Sequence, residues 1–189
     1  MHGGTLNLSK YKLVKLFSNL RVPAGWIFFL LVIIVGEIRN YWPLFFVVLG
    51  EIIRTTASGT IIKNEKLSTA GLYSIVRHPL YLGSLFINLG FCLICNNPVL
   101  WVYSFILFPA CYYSAIAMEE ITLNKKFGIE FLNYKKNVPA FLPIKFKKLR
   151  MMKNNFSWSL VFRNKEYNNW FILLAVILLI LLKSVSKSQ

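Results

Sequence analysis

Five apolar runs, each bounded by basic or turn-forming residues, constrain this chain more than any other feature. Residues 22–38 form the first run, 41–53 a shorter second, 80–95 a third, 98–117 a fourth and 170–182 a short fifth. A helix of roughly 20 apolar residues spans a bilayer, and several of these runs approach that length. With 56% hydrophobic residues and a mean hydropathy of +0.54, the 189 residues are too apolar for a water-soluble domain. The expectation is an all-α polytopic transmembrane bundle of four to five spans, with one interfacial helix on its cytoplasmic side. The first run reads as an anchor and not as a removed signal. Basic residues including Lys10, Lys12, Lys15 and Arg21 precede it, and no small-x-small cleavage site follows.

Charge sets the expected orientation. The net charge is +15, from 22 Lys and Arg against seven acids, all of them glutamate. Placing Lys and Arg inside puts the N-terminus, residues 54–77 and residues 125–165 on the cytoplasmic face, leaving Arg39 outside. A fifth span would carry Lys183 and Lys187 outside against that rule, so this run is alternatively interfacial or re-entrant. The basic excess holds the topology and attracts anionic headgroups at about 1 kcal/mol per residue; a sharper reading is recruitment of an anionic substrate or lipid. Nucleic acid is not an expected partner, because the basic residues flank membrane spans without a nucleic-acid motif. Cys92, Cys95 and Cys111 fall inside apolar runs, where thiols act as small packing residues. Cys92-x-x-Cys95 lacks the second ligand pair that a metal site requires.

Asn96-Asn97-Pro98 is a tight turn between the third and fourth runs, which therefore form an antiparallel hairpin. The start of one helix and the end of the other become neighbours, and Arg77-His78 is brought to Glu119-Glu120. Charges at the edge of a membrane helix are costly unless something uses them. Tyr81, Ser84 and Asn88 follow Arg77 at spacings of four, three and four, along one helical face. Tyr112 and Tyr113 lie two turns deeper than the glutamates on the fourth run. These polar groups serve either helix–helix hydrogen bonding or a pocket. Pro79 suits a first helical turn, and Gly83 permits close approach of a ligand or, more commonly, of another helix. Glu51 and Arg54, three apart, can pair with each other. Residues 121–136 are amphipathic, with Leu123, Phe127, Phe131 and Tyr134 on one side, as in a helix lying on headgroups. Residues 138–143 run extended, because Val138 precedes Pro139 and Leu142 precedes Pro143; together the two segments suit a lid.

These residues together resemble the isoprenylcysteine carboxyl methyltransferase family and its phospholipid methyltransferase relatives. The likeness runs in order from Gly50-Glu51 with Arg54, through Gly71-x-Tyr73 and Arg77-His78-Pro79-x-Tyr81-x-Gly83, to Glu119-Glu120. It continues through Phe127-Gly128-x-Glu130 to Tyr134, Pro139 and Pro143. Leu72, Ala140 and Phe131 depart from residues common in the family, and the C-terminal apolar run lies outside its core pattern. The resemblance implies S-adenosyl-L-methionine as cofactor, held by His78, Pro79, Leu80, Tyr81, Gly83, Glu119 and Glu120, with Tyr134 and Pro139 closing over it. On this reading residues 1–189 are a single integral membrane domain. Residues 1–21 are its cytoplasmic N-terminus, 22–117 its four transmembrane helices, 118–168 its cofactor-covering segment and 169–183 an additional helix.

The chemistry of that cofactor suits the residue types. Glu119 or Glu120 can take its ammonium or ribose hydroxyls, and His78 with backbone N–H groups can take its carboxylate. Tyrosine faces attract a sulfonium by about 0.5–2 kcal/mol. A carboxylate acceptor needs only a cation to orient it, which nominates Arg77 with Arg54 behind it. An amine acceptor needs a proton sink, which nominates Glu120. The expected function is methyl transfer to a lipid-like or membrane-partitioned acceptor, carboxyl O-methylation being favoured, at the cytoplasmic face of a bacterial inner membrane. The alternatives are a phospholipid or amine N-methyltransferase, and a non-catalytic scaffold or small transporter of the same fold. Expected partners are membrane lipids and a lipophilic or lipid-modified acceptor.

Overall fold

A computed structural model describes residues 8–62, 65–142 and 156–187. Among them the chain forms α1 (Leu8–Val35), α2 (Leu44–Ser58), α3 (Pro79–Cys95), α4 (Pro98–Phe127), α5 (Ile129–Asn137), α6 (Trp158–Arg163) and α7 (Tyr167–Lys187). A 3-10 turn, Gly71–Ser74, precedes α3, and no strand occurs among the described residues. The fold class is the expected all-α bundle. Residues 11–35, 98–127 and 167–187 are long and apolar enough to cross a membrane, and α3 is a shorter apolar helix. Ile34, Phe45, Ile52, Phe105 and Phe171 are exposed on the bundle's outer surface. Apolar surface on this scale is stable where lipid covers it.

Helix ends follow local chemistry. Proline opens both α3 and α4, at a position whose N–H has no intrahelical partner. Asn96 closes α3 in the left-handed conformation, φ 41° and ψ 48°, and donates its N–H to Cys92 at 2.8 Å. Asn97 then caps α4 by accepting the Val99 N–H at 2.9 Å, and its Nδ2 donates to the Val35 carbonyl at 3.2 Å. The turn is thereby tied to the end of α1. That helix begins fourteen positions before residue 22 and stops at Val35, so residues 36–38 lie beyond it.

The core lies toward this turn end. Phe28 and Val32 of α1, Val47 of α2, Ile87 and Phe91 of α3 and Leu100 of α4 meet Leu173, Val176 and Ile180 of α7 there. The fifth run is therefore one continuous helix packed into the bundle, long and apolar enough to cross a membrane. Near its start Trp170 Nε1 donates to Thr55 Oγ1 at 3.0 Å, and near its finish the Ile38 N–H donates to Ser184 Oγ at 3.2 Å. Lys183, the residue that troubled the charge rule, donates to the carbonyls of Ile34 at 2.6 Å and Gly36 at 3.0 Å. Lys187 pairs with Glu37. A cation over the last carbonyls of a helix is favourable, which accounts for Lys183 at this end, while Lys187 is held by the Glu37 carboxylate.

Packing around α3 is uneven. Against α2 it is tight: a Cβ on Gly50 would stand 2.5 Å from the Gly83 carbonyl oxygen, and one on Gly90 would stand 2.6 Å from Val47 Cγ2. Such small-residue contacts let membrane helices approach closely. α4 packs chiefly on α1, and the α3 and α4 backbones come close over only a short stretch. The predicted hairpin is present, and its two arms are splayed. α4 is also longer than the fourth apolar run. Its 30 residues extend about 45 Å at 1.5 Å per residue. The expected separate helix over 121–136 is instead the last turns of α4, a break at Gly128 (φ 50°), and α5. Glycine there takes a backbone conformation that other residues resist.

Candidate active site

The splay between α3 and α4 holds a cavity of about 840 Å³, completed by α1, α7 and the segments after α2 and α6. Its deep part is apolar, with Phe28, Phe29, Ile87 and Leu107, and its mouth is charged. Arg77, Tyr81, Ser84 and Asn88 all line it, so the predicted polar stripe faces the cavity. Tyr112 lines it too, whereas Tyr113 points outward at 75% exposure.

The mouth is tied together by glutamates of α4 and cations before α3. Arg77, only 8% exposed in its side chain, donates from Nη2 to Glu120 Oε1 at 2.5 Å and from Nε at 3.1 Å. Its Nη1 donates to the carbonyls of Lys135, at 3.0 Å, and Val138. Lys135 Nζ reaches the other Glu120 oxygen at 2.6 Å. His78 is buried between the glutamates, with Nε2 3.4 Å from Glu120 Oε1 and Nδ1 3.5 Å from Glu119 Oε2. Burial alone would lower the imidazole pKa, but the hydrogen bonds to Glu119 and Glu120 outweigh it and raise it above the ordinary histidine value. Burial would likewise raise the Glu120 carboxyl, yet hydrogen bonds from His78, Lys135 and Arg77 hold it well below the usual carboxylate range. The strap over 138–140 is fixed by backbone pairing, as Arg77 N–H donates to Pro139 at 2.9 Å and His78 N–H to Ala140 at 3.1 Å. Tyr134 donates its hydroxyl to the Tyr73 carbonyl at 2.6 Å, closing α5 over the 3-10 turn.

Deeper in the cavity the walls are aromatic. The Tyr81 and Tyr112 rings meet edge to face with centroids 5.4 Å apart, and Phe108 stacks on Tyr112 at 3.9 Å. Arg21 of α1 donates to the Tyr81 hydroxyl and lies 5.4 Å from that ring's centre. Arg54 donates from Nη1 to Ser84 Oγ at 2.6 Å and pairs with Glu166 at 2.7 Å.

The predicted site residues divide. Arg54, Arg77, His78, Leu80, Tyr81, Glu119 and Tyr134 line the cavity. Pro79, Gly83, Glu120 and Pro139 stand behind the wall. Gly83 turns its Cα toward α2, where a Cβ would meet Arg54 Cγ at 2.5 Å and the Gly50 oxygen at 2.6 Å, so its smallness serves helix packing. Pro79 is fully buried, Pro139 offers its carbonyl to Arg77, and Glu120 organises the cations of the rim. Glu51 and Arg54 do not pair. Glu51 accepts from Thr55 Oγ1 at 3.2 Å and from Asn169, while Arg54 turns to Glu166. Phe131 is buried and does not line the cavity, and Pro143 lies outside the described residues. Sequence reasoning missed Arg21 and Glu166. Glu166 carried a signal, being one of only seven acids and standing just before an apolar run. Arg21 carried none beyond being the last cation before the first run.

Known proteins resemble this chain over much of its length. The model of the phospholipid methyltransferase family matches residues 23–130, and the chain belongs to that family. It is an integral membrane protein. Protein-S-isoprenylcysteine O-methyltransferase B of Arabidopsis thaliana is 31% identical over 156 residues, covering 74% of this chain and 77% of that relative. Protein-S-isoprenylcysteine O-methyltransferase of Homo sapiens is 35% identical over 112 residues, covering 53% of this chain and 39% of the human protein. The Mus musculus protein of the same name is 34% identical over 112 residues. The chain thus spans about two fifths of the length of these mammalian relatives. No solved structure matches the chain.

Proposed function

We propose that this chain is an S-adenosyl-L-methionine-dependent membrane methyltransferase that esterifies the carboxylate of a lipid-like acceptor. The observation that carries the proposal is one continuous cavity, charged at its mouth and apolar at its depth, set among lipid-facing helices. Its volume falls within the roughly 300–1,000 Å³ of pockets that bury small ligands.

The residues present fit the cofactor. Glu119 lines the mouth with its side chain 40% exposed, so an oxygen is accessible to an ammonium or to ribose hydroxyls. The Tyr81 and Tyr112 rings offer aromatic surface to a sulfonium. When bound, S-adenosylmethionine supplies an electrophilic methyl group. Methyl transfer to a carboxylate is an in-line displacement, so the protein's work is to align the reactants and exclude water. The Arg77–Glu120–Lys135 cluster fixes the mouth, and the strap over 138–140 covers its edge. Phe28, Phe29, Ile87 and Leu107 suit an apolar tail. The chain is read as one membrane domain whose mouth faces the cytoplasm, a placement supported by the basic residues at that end. A second reading, N-methylation of an amine-bearing lipid, is supported by the family's description and by the carboxylates that neutralise Arg54 and Arg77.

Calorimetry of the detergent-solubilised protein with S-adenosylhomocysteine tests the cofactor. Binding by the wild type that Glu119→Gln weakens at least tenfold is expected, and equal binding by both would remove the assignment. Methyl-labelled cofactor incubated with membrane lipid extract tests the acceptor. A carboxyl ester releases labelled methanol in mild base, and base-stable label would favour the amine reading.

A further inference from the structure

Three arginines line the cavity, and their electrostatic states differ. Arg77 is paired with Glu120 at 2.5 Å and Arg54 with Glu166 at 2.7 Å, so each already has a carboxylate. Arg21 has none within 4 Å among the described residues. It contacts the Tyr81 hydroxyl and ring. Position does not make it an ordinary surface cation. On the same helix Lys12 and Lys15 are exposed, whereas Arg21 is half-buried and faces inward. The wall lysines Lys66, Lys126 and Lys165 are all exposed at the mouth. Immediately beyond Arg21 the same wall becomes apolar, with Val22, Trp26 and Phe29. A guanidinium held against apolar surface, with water partly removed and Glu119 acting on it only from beyond ion-pair distance, is costly unless an anion joins it directly.

Resting on the methyltransferase reading, we infer that Arg21 is the residue of this cavity that receives a ligand carboxylate. The planar guanidinium presents paired N–H donors that match a carboxylate, and Tyr81 holds it from one side, leaving its other donors for the ligand. Glu119 lines the same mouth and supplies the opposite charge. The carboxylate has two possible sources: the amino-acid end of the methyl donor, or an acidic acceptor whose tail runs along Trp26 and Phe29. Residue 21 lies just outside residues 23–130, the segment that the family model matches.

The test is calorimetry on the full chain in detergent, comparing wild type, Arg21→Gln, Arg21→Lys and the exposed control Lys12→Gln. Four probes are used: S-adenosylhomocysteine, 5′-methylthioadenosine (which lacks the carboxylate), an N-acetyl S-prenylcysteine and its methyl ester. A carboxylate gripped by a charged donor gives a loss of about 10- to 100-fold on removal of that donor. If Arg21→Gln weakens S-adenosylhomocysteine by that factor and spares 5′-methylthioadenosine, the donor's carboxylate is the one held. If it weakens the prenylcysteine acid and spares the ester, the acceptor's is. Unchanged binding of both acids overturns the inference, and so does equal loss of charged and uncharged probes, which would mean that Arg21 only shapes the cavity. Should Arg21→Gln fail to fold, Arg21→Lys decides by the same selectivity for the acids. A wild type that binds none of the four removes the methyltransferase reading itself.

Discussion

The two faces of α3 are packed in opposite ways. Toward α2 it is closed, with Gly50 and Gly83 so near that neither can carry a side chain without moving backbone. Toward α4 it is open, bridged by Tyr81 on Tyr112 and, at the mouth, by the Arg77 and His78 contacts with the glutamates. One face holds the helix in place so that the other can line a cavity. Small residues make the first interface and ionisable residues the second, so the two should fail differently when altered.

The largest effect is expected on the open side. Glu120→Ala leaves the buried Arg77 guanidinium without its carboxylate, a loss of about 3–5 kcal/mol for a broken buried pair. Melting of the purified protein in detergent should fall sharply, and a fall no larger than that of Glu65→Ala, which breaks the exposed pair with Arg163, would contradict the role given to the rim. On the closed side, Gly50→Ala forces a Cβ to 2.5 Å from the Gly83 oxygen, an overpacking cost of about 1–3 kcal/mol. Melting temperature should drop while S-adenosylhomocysteine affinity of the folded fraction stays near wild type. A reversed pattern would mean that the glycines belong to the site.

pH sharpens the contrast, because His78 stands on the open side. His78 has a raised pKa in the folded protein, so its contribution is full below its unfolded value of about 6.5 and is lost as pH rises through the folded value. Glu120 has a lowered pKa, so its contribution is present above about 4.3 and is lost as pH falls through its folded value. Melting temperature should therefore decline on the alkaline side in the wild type, and His78→Asn should flatten that limb. An identical limb in both would show that His78 is uncharged in the rim. The smallest effect belongs to the far end. Lys183→Met removes the cation over the last carbonyls of α1, worth about 0.3–1 kcal/mol. Melting should shift slightly, with ligand binding unchanged.

How far the site could be read from sequence depended on distance along the chain. Asn96-Asn97-Pro98 forces a reversal, and a reversal between two apolar helices makes neighbours of Arg77-His78 and Glu119-Glu120 with no further information. The 4-3-4 spacing from Arg77 to Asn88 placed a polar stripe correctly, since helical periodicity is local. Tyr113 failed because its neighbour Tyr112 lies about 100° around the helix and only one of the two can face inward. Arg21–Tyr81 and Arg54–Glu166 join positions 60 and 112 apart, and no turn or periodicity links them. Gly83 sits one turn from cavity residues but on the face given to α2, a choice that needed the partner helix.

Sequence by itself determined that this chain is a membrane bundle with a charged hairpin mouth, because hydropathy, turn chemistry and helical period are properties of short segments. Only the tertiary structure decided that the hairpin is splayed into a cavity, that α7 fills the core beside α1, and which of the three cavity arginines has no carboxylate within 4 Å among the described residues. Those outcomes depend on how helices distant in sequence share space, and each ion pair goes to the partner that packing brings within reach.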